Sequence, residues 1–188
     1  MTEASTSRST FAAGSELRWE FTAENCREPA IVRLYTYWLH CKGPHCFPGR
    51  QDIDPLGMKF ALGGITLFDV CWADARPDST PASRGAPRFR YRLIGSDIVA
   101  RDGFDLTGRW LDELPLVQYR ALMLSRLEML VRTPRPLLVR NKQFYDRRWY
   151  DYEALWLPLA KDHETVDIIM ACQIFADRPP NHVGLPVA

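Results

Sequence analysis

The chain has 188 residues, 46% of them hydrophobic and 25% charged, with a formal net charge of +1. That length suits one domain with a full core, and the near-neutral balance gives no bulk attraction to nucleic acid or an anionic membrane. Five Cys, an odd number, come with a Ser/Thr-rich start and no apolar run of export-signal or membrane-span length, so free thiols in the cytoplasm are expected.

Residues 1–15 are small and polar, and 1–24 are expected to form a flexible tail. Within it, Leu17, Trp19 and Phe21 alternate over 16–24, as in a short extended segment laid on the body. From Asn25 to Lys42 the spacing predicts an amphipathic helix with Ile31, Leu34, Tyr35, Trp38 and Leu39 on one stripe. Asn25 and Glu28 resemble a capping pair, Pro29 suits the first turn, and Gly43-Pro44 stops the helix at 43. The stripe needs cover, from the sheet or from the same helix of a second copy. The second solution predicts a homodimer through Tyr35, Trp38 and Leu39.

A loop over 44–58 leads to a buried-type strand from Ile65 to Trp72, then to a Pro-rich loop over 74–87. Phe89, Tyr91 and Leu93 alternate with Arg88, Arg90 and Arg92, which predicts a strand with one apolar and one cationic face. Ser96 opens a short helix, and Gly103 and Gly108 break the next stretch into short pieces. A longer helix is expected from Pro115 to Val131, with Leu116, Tyr119, Met123, Leu127 and Leu130 on one stripe. Three strands come after it, Leu137–Phe144, Trp149–Leu157 and Asp167–Phe175, and the tail from 178 to 188 is expected to be loose. The order predicts an α+β fold, an antiparallel sheet with helices on one face.

Five motifs occur in order: Asp52-Ile53-Asp54-Pro55-Leu56, Leu67-Phe68-Asp69-Val70, Arg88-Phe89-Arg90-Tyr91-Arg92-Leu93-Ile94-Gly95, Asp105-Leu106-Thr107-Gly108 and Leu111-Asp112-Glu113-Leu114. With the element order, this set resembles the PAS domain family, and within it a subfamily of single-domain proteins common in alphaproteobacteria. The resemblance covers about residues 25–177 and sets a PAS-like sensor domain at 44–177 behind the 25–43 helix. It implies a five-stranded sheet, a cavity between sheet and helices, sensing or partner binding, and no enzymatic activity. It supplies no cofactor, since no Cys stands in a flavin-reactive context and no His is assignable as a haem ligand. With no effector module in the sequence, the output is expected to pass to a separate signalling protein.

Tyr91, Trp110, Tyr119, Tyr152 and Trp156 are the candidate pocket residues. They either line an open cavity with apolar faces and polar tips, as in a small-molecule binding protein, or fill the core. His40, Cys41, His45 and Cys46 offer zinc-type ligands around Gly43-Pro44, but their spacing matches no standard zinc module. The Arg88, Arg90 and Arg92 face is either solvated or a docking surface for an acidic partner. Arg132, Arg135, Arg140, Lys142, Arg147 and Arg148 add positive charge, offset by nearly equal acidic residues. No nucleophile sits in a recognisable elbow and no Gly-rich loop has phosphate-cradling spacing. His163, between Asp162 and Glu164, reads as a hairpin turn residue.

Overall fold

The computed structural model describes residues 15–72, 85–145 and 148–176, with backbone alone at 143–145 and 148–150. Its strands are β1 (Ser15–Arg18), β2 (Ile65–Trp72), β3 (Pro87–Ile94), β4 (Leu137–Tyr145), β5 (Arg148–Leu159) and β6 (Ile168–Phe175). Its helices are α1 (Pro29–Lys42), α2 (Ser96–Asp102) and α3 (Val117–Arg132). All strand pairs are antiparallel, in the order β1-β4-β5-β6-β2-β3. Most of the loop expected over 74–87, the first fourteen residues, Arg147 and the C-terminal tail lie outside the described residues.

The sheet carries one strand more than the five expected. Ser15–Arg18 pairs with β4 from Leu138 to Asn141, and so covers backbone groups that an edge strand leaves open.

α3 covers one face of the sheet, and the N-terminal helix α1 covers the other. On β5 the side chains alternate. Leu155, Leu157 and Leu159 join Ile31, Leu34 and Trp38 of α1 in one core, while Ala154 and Trp156 join Met123, Leu127 and Leu130 of α3 in the other. Residues 153–160 and 168–172 are buried without a break. Such continuous apolar runs belong to strands covered on both faces.

α1 starts at Pro29, later than expected. Asn25 instead closes a separate turn, its side-chain oxygen accepting from the Thr22 amide at 2.8 Å. The carboxylate at the helix start is Glu153, buried on β5. It accepts from the backbone amides of Arg27 at 2.8 Å and Glu28 at 2.9 Å, which satisfies amides that helix geometry leaves open and sets negative charge at the positive end of the dipole. Arg140 donates to Glu153 at 3.0 Å and also to the Asn25 carbonyl. Further along, Trp38 is buried and its Nε1 donates to the Pro158 carbonyl at 3.1 Å. Tyr35 is half-buried and stacks on Trp38, and Leu39 is exposed.

β3 departs from simple alternation at one point. Tyr91 pairs with Phe68 and Leu93 with Leu67, so Arg92 is the extra residue of a β-bulge. Phe89 and Tyr91 point into the α3-side core as expected. Leu93 does not share their face: the bulge turns it outward, 42% exposed, and Ile94 packs against that core instead. On α3, Met123, Leu127 and Leu130 are buried, whereas Leu116 precedes the helix and is exposed.

Because Trp38 belongs to the chain's own core, Trp38→Ala is expected to cost about 3–5 kcal/mol of stability. Leu39→Ala is expected to change it by no more than about 0.5 kcal/mol. Denaturant unfolding of the two variants beside wild type measures both.

Candidate ligand site

Between α3 and the sheet, four elements converge on one polar cluster within an apolar interior. β3 supplies Tyr91, α3 supplies Tyr119, and their hydroxyls are 2.8 Å apart, either able to donate. β2 supplies Phe68, tilted against the Tyr91 ring at 4.7 Å and stacked on Trp156 at 5.9 Å. β5 supplies Trp156, buried, with Ala154 two residues before it on the same face and Ala171 of β6 directly opposite. Tyr152 packs partly buried at the margin, edge-on to Phe175 at 5.7 Å.

Of the five pocket candidates, the structure brings together Tyr91, Tyr119 and Trp156, with Tyr152 beside them. Trp110 is elsewhere. Its backbone bridges to Arg90 at the outer edge of β3, and its ring lies under the guanidinium of Arg88 at 4.2 Å and near that of Arg90 at 5.8 Å. Arg109 before it and Asp112 after it are the local sign of an edge position.

Sequence reasoning misses one further residue of the cluster. Arg126 of α3 is 4% exposed and stands 5.7 Å from the Trp156 ring. The signal is present: Arg126 falls three residues after Met123 and four before Leu130, on the apolar stripe of an otherwise amphipathic helix.

Burial dominates the acidity of the tyrosine pair. It pushes the Tyr119 hydroxyl up to about 12 and raises Tyr91 further still, with Asp102 adding to both.

The motifs turn out to be connectors. Asp69, buried on β2, binds Arg90 at 2.9 Å and also Arg92, and Arg88 binds Asp112 at 2.8 Å and Glu113 at 3.1 Å. The cationic face of β3 is thus matched by the chain's own carboxylates. Gly108, at φ +83, occupies a turn whose amide donates to the Tyr91 carbonyl at 2.7 Å. Gly95 is held by close approach, since a Cβ there would sit 2.2 Å from the Gly63 carbonyl oxygen. Asp54 caps the turn Pro55–Met58, and its backbone exchanges hydrogen bonds with the Tyr37 hydroxyl of α1.

His45 stacks on His163 at 4.1 Å, and His163 Nδ1 lies 3.1 Å from the Phe47 carbonyl and 3.6 Å from Asp52. His163, with φ +64, holds a hairpin turn against the 45–47 loop. His40 and Cys41 end α1. Among the described residues no group of three or more His, Cys, Asp or Glu side chains is placed to hold a metal, and no helix is long and apolar enough to cross a membrane.

A model of the PAS domain family matches residues 26–173. The chain belongs to the PAS domain family. The match takes in α1 and the sheet from β2 onward, but not β1. No curated protein matches the chain. Among solved structures, one titled as an RNA-binding light-oxygen-voltage receptor is similar over 66% of this chain and 33% of its own, at 12% identity and a TM-score of 0.40. This PAS chain therefore spans about a third of that receptor's length.

The raised tyrosine acidities set a pH dependence. An unfolded Tyr titrates near about 10, so above that pH the unfolded chain binds fewer protons than the folded one, and stability falls as pH rises toward and past 12. Below about pH 10 the contribution is fully present. Unfolding midpoints measured from neutral to alkaline pH should fall in this window, and the Tyr91→Phe/Tyr119→Phe double variant should show a shallower fall.

Proposed function

We propose that this PAS domain is a sensory module whose signal is a small molecule held between α3 and the inner face of the sheet. One observation carries the reading. Trp156 is 2% exposed, and its Nε1–H has no hydrogen-bond partner among the described residues. An unmade buried donor costs about 1–3 kcal/mol, so native interiors rarely contain one without a reason. Filled cores favour apolar atoms at such a position, whereas ligand sites combine apolar walls with a few convergent polar groups. Phe68 and Trp156 supply the walls here, and the Tyr91–Tyr119 pair supplies further hydrogen-bonding capacity.

Tyr91 sits on the edge strand and Tyr119 on the covering helix, so a ligand between them would bear on how α3 packs against β3. A separate protein reading that surface is the proposed output.

Native mass spectrometry of freshly purified protein tests the reading. The expected spectrum shows a species heavier than the chain that reverts to the bare mass on denaturation. A bare mass under native conditions, together with no thermal shift from a diverse library of small molecules, would contradict it and leave a filled-core interaction module.

A further inference from the structure

We infer that the ligand is an organic carboxylate with an aromatic or apolar body, its charged end bound by Arg126. This rests on the site proposed above and adds the chemical class.

Arginine is almost never fully buried unless paired. Arg140, largely buried, obeys that rule and is bound by Glu153 at 3.0 Å, and even the exposed Arg88, Arg90 and Arg92 hold carboxylates. Arg126 is more deeply buried than any of these, yet among the described residues no carboxylate lies within ion-pair distance of it. It stands near the Trp156 ring and acts electrostatically on Tyr119. Asp102 also acts electrostatically on both tyrosine hydroxyls.

Arg126, 4% exposed and without a carboxylate beside it among the described residues, is in a less favourable setting than a paired guanidinium. An anion that docks beside it gives up its own hydration, and charge-assisted hydrogen bonds to the guanidinium offset that cost. The planar fork of arginine fits a carboxylate through two parallel hydrogen bonds, and the Nε1–H of the neighbouring Trp156 offers a further donor. The rest of the site selects the body of the ligand. Phe68 and Trp156 form a stacked aromatic wall at 5.9 Å, and Ala154 and Ala171 place only methyl groups beside Trp156. A cation in an aromatic, small-residue setting suits an acid with a flat or apolar tail, and disfavours amines and highly polar sugars.

The test titrates a panel of aryl and medium-chain alkyl monocarboxylates, each beside its primary amide, into the intact chain by calorimetry. Wild type is compared with Arg126→Gln and with Trp156→Phe, which keeps an aromatic ring and loses the N–H. The expected result is that at least one acid binds, at least about tenfold more tightly than its amide, the ratio set by a charge-assisted hydrogen bond. That preference should vanish in Arg126→Gln and weaken in Trp156→Phe. Arg126→Met supplies a readout that a structural role would move the other way. Removing an unpaired buried charge should leave the thermal midpoint of the ligand-free protein unchanged or higher. A sharply lower midpoint would mark Arg126 as a fold-holding residue and overturn the inference. Acids and amides binding equally well would overturn the carboxylate class while leaving the small-molecule site intact. No binding by any panel member, with a bare native mass, would overturn both.

Discussion

β5 has two buried faces, and the rest of the molecule is arranged around that constraint. One face carries Leu155, Leu157 and Leu159 beneath α1, and the other carries Ala154 and Trp156 beneath α3. Burying both faces requires the strand's buried charge to be answered. Glu153 is answered by Arg140 and by two backbone amides at the start of α1. This carboxylate fixes where α1 begins, and the Pro158 carbonyl, five residues further along β5, receives Trp38 from the same helix. Losing one partner of such a buried set leaves the other uncompensated, which is far more costly than the pair is worth by itself.

The opposite face is built to a different rule. Around Glu153, polar groups are matched one to another. Around Trp156 the tyrosine hydroxyls are paired, but the indole N–H has no partner, and no carboxylate pairs with Arg126, among the described residues. One polar interior is closed and the other keeps an unbonded donor, and on that difference the second is proposed as the ligand site. β3 joins them. Its outward arginines are held by Asp69, Asp112 and Glu113, its backbone is covered by Gly108 and Arg109, and its inward Tyr91 reaches the open side. The residues of the family-resembling motifs serve mainly this scaffold, through the Asp69, Asp112 and Glu113 ion pairs and the Gly108 turn.

Much of this was legible in the sequence. The period-two pattern around Tyr91 gave its inward direction, and the strand bounds after α3 agree closely with their apolar runs. The double cover was encoded in the unbroken run through Leu155, Trp156 and Leu157, but α1 read equally well as a partner-seeking stripe, because an amphipathic helix does not state what lies opposite it. The bulge at Arg92 was hidden, since one extra residue on an edge strand leaves no compositional trace while it turns Leu93 outward. Trp110 and Trp156 are the same residue type, but Trp110 lies in Arg109-Trp110-Leu111-Asp112 while Trp156 stands between Leu155 and Leu157, a local sign that one covers an edge and the other is core. Glu153 and Arg126 were each visible as a lone charge in an apolar pattern. The partners of Glu153 at the start of α1 are more than a hundred positions away in the chain, and the neighbours of Arg126 belong to other elements, so neither set can be read locally.

The most direct measurement of the account is the indole N–H region of the protein's NMR spectrum, with Trp156 assigned through Trp156→Phe and Trp38 through its own substitution. The account predicts that adding a binding carboxylate shifts the Trp156 resonance strongly as its N–H gains an acceptor, while Trp38, already bonded to Pro158, stays in place. A ligand that binds and moves other indole signals while Trp156 remains unchanged would contradict it.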